Sequence, residues 1–242
     1  MGFMCGRYAS ARRDADIAGA LAVQEIVDEE TPPSWNVAPQ QDIRVVLERT
    51  PRGAPEDAEP VRQLRRVRWG LVPAWAKDDE VTKVGARMIN ARSESLTEKP
   101  AFKRAAAKRR CLIPMDGFYE WRKNADGTKT PFFLHAGGDL IAAAGLYELR
   151  PDPEREGEWL WTATVATRAA TDTLGEIHER CPVLVTPDQV DAWLDPHLTD
   201  LDDVAAILAA LPEPHLEPRE VGKAVGNVRN DGPHLVEPAA AG

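Results

Sequence analysis

A chain of 242 residues with 43% apolar content is long enough to bury its own core, and a net charge of −9 argues against a uniformly basic surface built for nucleic acid. No apolar run approaches the roughly 20 residues of a membrane span, and the first ten residues, MGFMCGRYAS, lack a secretory stretch, so a single-domain cytosolic protein is expected. Cys5, Cys111 and Cys181 form an odd set without CxxC spacing, which predicts reduced thiols rather than a disulfide framework or a zinc knuckle.

In chain order, Ile17, Leu21 and Ile26 recur at near-helical spacing, predicting a helix over Asp14 to Asp28 before the Pro32-Pro33 break. Ile43 to Glu48 is short and β-branched, and Arg66 to Val72 alternates through Val67, Trp69 and Leu71, so both read as strands. Pro100 to Arg109 opens with proline and is rich in Ala, Lys and Arg, which predicts a short basic helix. CLIP, GFYEWRK, PFFLHA, LIAAAGLYEL and WLWTATVAT then read as a β-meander, with Asp126-Gly127 as the turn between its second and third strands. Leu174, Ile177, His178 and Cys181 share a helical face closed by Pro182, Thr186 is placed to cap a helix reaching Leu194, and Asp200 to Leu211 makes another. The class is α+β, one domain over residues 1 to 236, with a mainly antiparallel sheet, peripheral helices and a frayed tail from Glu237 to Gly242.

Charge is unevenly spread. Basic residues gather in Arg62 to Arg68, in Lys103 to Arg110 and at Arg122-Lys123, whereas acid collects in Asp28 to Glu30, residues 51 to 60, residues 152 to 158 and the C-terminal third. Local positive potential of this kind permits phosphate contact, and it equally suits a solvated face.

The chemistry centres on a few side chains. Cys5 follows Met4; removal of what precedes it would put an α-amine beside the thiol, and that pair condenses with an aldehyde to a five-membered thiazolidine. An ordinary buried cysteine is the alternative. Strand alternation in Gly117 to Trp121 puts Glu120 on the face of Phe118, where partial desolvation would suit it to proton transfer; an outward-facing edge carboxylate is the other reading. His178 closes its helix and reads either as a titrating group in a cleft or as a surface residue at a helix end. Asn36 and Asn90 are amides among apolar neighbours, suited to hold a substrate oxygen or to satisfy a turn. Trp69, Trp75 and Trp121 are candidate stacking surfaces for unpaired bases, or core. The histidines show no metal spacing, and neither a metal nor a cofactor is expected.

In combination these segments resemble the SOS-response-associated peptidase (SRAP) family of abasic-site processing proteins. The likeness runs through MCGRY (Met4 to Tyr8), WNVAP (Trp35 to Pro39), WGLVPAW (Trp69 to Trp75), INARSE (Ile89 to Glu94), GFYEW (Gly117 to Trp121), IHERCPV (Ile177 to Val183) and VGNVRNDGP (Val225 to Pro233). The resemblance implies a strongly curved β core crossed by a DNA groove, and a monomer that meets abasic sites in single-stranded DNA in the cytoplasm, gathering on the nucleoid after damage. It implies Cys5 as the cross-linking residue, Glu120 as acid and base, His178 acting on the opened deoxyribose and Asn90 holding the sugar. It further implies Arg7, Arg92 and Arg180 as phosphate ligands, Thr167 as a supporting hydroxyl, Asn36 and Trp75 on the DNA path, and Pro39 and Trp121 shaping a wedge. Two departures stand out: Ala76 where the family tends to carry a second aromatic after Trp75, and Met1-Gly2-Phe3 ahead of Met4. The active species is therefore expected to begin at Cys5. A thiol peptidase built on Cys5, His178 and Glu120, and a non-covalent single-strand-binding module, are the rival readings.

Overall fold

The computed structural model describes residues 5 to 240 apart from 52, 56 and 57. In chain order the elements are β1 (Tyr8–Ser10), α1 (Asp14–Ala20), β2 (Glu25–Ile26), β3 (Ser34–Val37), β4 (Asp42–Arg49), β5 (Val61–Trp69), α2 (Val81–Arg87), β6 (Asn90–Arg92) and α3 (Pro100–Lys108). They continue as β7 (Arg110–Met115), β8 (Gly117–Lys123), β9 (Lys129–His135), β10 (Ile141–Pro151), β11 (Trp159–Ala169), α4 (Asp172–Ile177), β12 (Arg180–Pro182), α5 (Val190–Leu194), α6 (Leu201–Ala210) and β13 (Glu217–Glu220).

The expected meander is divided between two sheets. β8 and β9 belong to a five-stranded sheet ordered β13-β9-β8-β1-β3, whereas β7, β10 and β11 join β4, β5, β2 and β12 in the larger one. Asp116 separates β7 from β8, and the two strands take different partners, β10 and β4 for the first and β9 and β1 for the second. The larger sheet curls until β11 pairs in parallel with β5, which closes the ring β5-β4-β7-β10-β11 into a barrel. Closure removes both free edges of that ring. Alternation then sorts the side chains. Val45, Leu47, Val67, Trp69, Cys111, Ile113, Ala143, Tyr147, Ala163 and Val165 fill the inside and the space towards the second sheet. Val46, Leu64, Leu112, Ala144 and Leu146 face outwards under the helices.

Four expectations are corrected. The first helix stops at Ala20 instead of Asp28: Ala22 takes a left-handed φ of 52°, and Glu25–Ile26 is drawn into parallel pairing with β5, so sheet pairing overrides helical spacing there. Cys181 is in strand β12 rather than on a helix, because the chain turns extended at His178 and Arg180 pairs with Ala169. The helix expected from Thr186 begins as a tight single turn and is α-helical only over Val190–Leu194. The tail from Glu237 is pinned in part, Pro238 bridging Val221 and the Ala239 amide donating to the Glu220 carbonyl at 2.9 Å.

The basic runs are partly consumed internally. Arg110, 3% exposed, donates to the Trp193 carbonyl at 2.8 Å and to the Ala106 carbonyl at 2.7 Å, and Arg62 pairs with Glu48 and Asp191. Trp69 is fully buried, stacked edge-on against Tyr8 at 5.3 Å, and its indole N–H donates to the Ile89 carbonyl. It is core and offers no face to a base.

Candidate active site and nucleic-acid groove

Strand β8 builds the centre of the site. A Cβ on Gly117 would lie 2.5 Å from the Phe133 ring and 2.6 Å from the Leu134 carbonyl, so only glycine lets β8 lie this close to β9. From there alternation sends Phe118 and Glu120 to the inner face and Tyr119 and Trp121 to the outer one. β1 runs antiparallel to β8 with Tyr8 opposite Phe118, and the chain just before β1 brings the Cys5 backbone alongside the Glu120 side chain. The Cys5 backbone nitrogen donates to Glu120 Oε1 at 2.6 Å. On the other carboxyl oxygen, Oε2, His178 Nε2 stands 4.0 Å away. The imidazole is steadied from behind, where the Arg180 amide donates to Nδ1 at 3.2 Å.

Burial controls the electrostatics of this trio. Glu120 is 3% exposed, and desolvation drives its carboxyl from an ordinary value of 4.5 up to about 8, against the pull of the hydrogen bonds from the Cys5 and Trp121 amides. The Cys5 thiol is raised as well, by burial first and then by Glu120 and Cys181, while burial lifts Cys181 to about 11. Burial thus raises all three acids, and Glu120 further disfavours ionisation of both thiols. Cys5 itself takes a left-handed φ of 37°, an uncommon conformation for a residue with a Cβ.

A rim of polar groups lies along β11. Asn90 and Arg92 sit on β6, in parallel register with Val165 and Thr167, and Arg180 on β12 pairs with Ala169 on the other side. Arg92 is exposed. Arg180 grips the Glu94 carboxylate with both terminal nitrogens, at 2.6 and 2.8 Å, and also donates to the buried Thr167, to its carbonyl at 2.6 Å. The guanidinium holds Glu94 below the usual carboxylate range. A phosphate on Arg180 would have to displace Glu94, which sequence reasoning did not foresee.

The outer face of β8 carries a second cluster. Arg7 lies over the Trp121 ring at 5.9 Å and donates to Asn36 Oδ1 at 2.8 Å and to the Val225 carbonyl at 2.9 Å. Asn36 is 2% exposed, and its amide donates to the Asn227 and Asn230 carbonyls at 3.0 and 2.7 Å. It braces the VGNVRNDGP segment against Arg7 and has no surface for direct DNA contact. Trp121 and Glu120, adjacent in sequence, serve opposite faces of one strand. Trp75 is 65% exposed, Pro39 is half-buried on the loop after β3, and Ala76 is buried among Val72, Val81 and Leu160, so its small side chain packs inwards. The expectation that the active chain begins at Cys5 falls on residues 1 to 4, outside the described residues.

A buried thiol and carboxyl beside an imidazole, with arginines along the neighbouring strands at the end of a closed barrel, mark the candidate site of a single-domain α+β protein. The SOS response associated peptidase (SRAP) family profile matches residues 4–228, and the chain belongs to that family. Among its relatives, the abasic site processing protein YoqW of Bacillus subtilis (strain 168) is 37% identical over 236 residues, covering 97% of this chain and 99% of the relative. YoaM of the same organism, also named an abasic site processing protein, is 35% identical over 97% of this chain and 98% of its own. The abasic site processing protein HMCES of Gallus gallus is 29% identical over 99% of this chain and 79% of its own length. A solved structure from Bacteroides thetaiotaomicron superposes with a TM-score of 0.78 at 20% identity, over 97% of this chain and all of that one, and shares the fold.

Proposed function

We propose that this protein captures abasic sites in single-stranded DNA by condensing the aldehyde of the opened deoxyribose with Cys5. The observation that carries the reading is the 2.6 Å contact between the Cys5 nitrogen and Glu120, with His178 across the same carboxyl. The Cys5 α-amine, once free, attacks the aldehyde carbon to give a carbinolamine; Glu120 supplies the proton with which its hydroxyl departs as water, and the resulting imine is attacked by Sγ. One C–N and one C–S bond form, the C=O bond is lost, and a single water is released. A carboxyl titrating at about 8 is suited to both giving and taking that proton near neutral pH. In this reading His178 assists ring opening of the sugar, Asn90 holds its oxygen, and Arg7, Arg92, Arg180 and Thr167 form the phosphate path, with Trp75, Pro39 and Trp121 splaying the strand. The reading includes a monomer acting in the cytoplasm and moving onto the nucleoid after damage.

Bond formation requires a primary amine, so the competent species begins at Cys5, and the reading includes removal of the preceding residues by the site itself. The thiol-peptidase reading is less well supported: burial raises the Cys5 thiol, and His178 turns its Nε2 towards the Glu120 carboxyl, 4.0 Å away. The test is incubation with a single-stranded oligonucleotide bearing one abasic site, followed by a denaturing gel. Protein starting at Cys5 gives a denaturant-stable adduct, whereas protein with an uncleavable N-terminal extension binds without cross-linking. Efficient adduct formation by protein shown to retain Gly2-Phe3-Met4 overturns the mechanism.

A further inference from the structure

The barrel has two ends, and only one faces Cys5 and Glu120. Trp69, Ile43, Met115 and Val165 point towards that end, packed with Tyr8 and Phe118 in one cluster. At the other end the inward-facing positions carry Arg49 from β4, Arg65 from β5, Tyr147 from β10 and Trp161 from β11, with Arg109 just before β7. Along β11, Trp161 is six residues from Thr167, about 20 Å at the rise of an extended strand.

The side chains there converge. Trp161 and Tyr147 stack with centroids 5.7 Å apart and planes 20° from parallel. The Arg65 guanidinium carbon lies 4.2 Å from the Trp161 centroid and that of Arg49 5.4 Å from it. Arg109 pairs with Glu148, but among the described residues neither Arg49 nor Arg65 has a carboxylate within 4.0 Å. Asp28 and Glu25 act on Arg65 only at longer range, and its Nε donates to the neutral Gln63 at 3.1 Å. Burial lowers Arg65 and the charge of Arg49 adds to that, and Arg49, Arg109 and Arg65 all act on the Tyr147 phenol, which burial pushes up to about 12. A cation on an aromatic face explains one arginine. It does not explain a second guanidinium on the same ring, with no carboxylate within 4.0 Å of either among the described residues, in a chain of net charge −9.

We propose that this barrel mouth is a second anion site, in which Arg49 and Arg65, oriented by Trp161, bind a phosphoryl group. The Trp161 ring is already covered by Tyr147 and Arg65, so no base stacks on it and the forked donors of the two arginines make the recognition. The inference does not rest on the abasic-site reading and survives its failure.

The test is the unfolding midpoint of the full chain titrated with sodium phosphate at an ionic strength held constant by sodium chloride. Wild type is expected to show a saturable rise. Arg65→Gln and Arg49→Gln should each weaken it about tenfold or more, the loss that goes with one charge-assisted hydrogen bond, while Arg104→Gln on α3 leaves it unchanged. Arg65→Lys keeps the charge and loses the fork, so an intermediate response is expected, and it serves if the glutamine variants do not fold. Unmodified hexathymidylate in place of phosphate separates the sources. An Arg65-dependent rise with the oligonucleotide assigns the phosphoryl group to a polynucleotide, and one confined to inorganic phosphate assigns it to a free anion. No saturable rise in wild type, or an equal rise in all the variants, overturns the proposal.

Discussion

Replacing Glu120 by glutamine should stabilise the fold at high pH and do almost nothing at low pH. The carboxyl binds its proton more tightly in the folded chain than in the unfolded one, at about 8 against an ordinary 4.5. Between those values the folded state holds a proton that the unfolded state has released, so stability falls as pH rises through that window and levels off above the folded value. At roughly 1.4 kcal/mol per pKa unit, the full cost of keeping the ionised carboxylate buried is at most about 5 kcal/mol, reached above pH 8. Glutamine matches the shape, still accepts from the Cys5 nitrogen through its carbonyl oxygen and never ionises. Urea unfolding of protein that retains residues 1 to 4 should therefore show Glu120→Gln more stable by about 2–5 kcal/mol near pH 9 and by less than about 1 kcal/mol near pH 5. Equal differences at the two pH values would refute the assignment of burial as the cause. In protein starting at Cys5, an ammonium sits 2.6 Å from the carboxyl and favours its ionisation, so the advantage of glutamine should shrink.

Cys5→Ala should lose the denaturant-stable adduct but retain an imine, captured by borohydride on a denaturing gel, provided its α-amine is free. Arg92→Ala and Arg180→Ala should each reduce the salt slope of single-strand binding by about 0.7, read from binding curves at several salt concentrations; an unchanged slope removes the residue from the phosphate path. Because Glu94 occupies Arg180 in the free protein, Glu94→Gln should tighten single-strand binding at low salt, and no change would show that Arg180 does not exchange partners. Asn36→Ala should destabilise the chain by about 1–3 kcal/mol in urea unfolding, since it strips donors from two partly buried carbonyls and an acceptor from Arg7.

Much of the local structure was legible in the residues. Pro100 opens α3, Asp200 caps α6 through the Asp202 and Asp203 amides, and the alternation from Gly117 to Trp121 set Glu120 on the face of Phe118, while burial of that face came from the fold. The family was legible too, because seven short segments keep their order along the chain. What local pattern could not reach was pairing at a distance. The meander strands look alike in sequence, and only their competition for partners sends β8 to β1 and β7 to β4. Closure of β11 on β5, almost a hundred residues apart in sequence, leaves no periodic mark. The same limit hid the uses of the arginines. Arg110 and Arg62 look like members of basic runs until the fold supplies Trp193, Glu48 and Asp191, whereas Arg49 and Arg65 meet on the Trp161 ring only when β11 closes on β5. Side-chain type and period are properties of a segment, so the sequence determined the elements and the reactive groups. Partners belong to the closed surface, so the tertiary structure alone decided which charges are neutralised and which face outwards together.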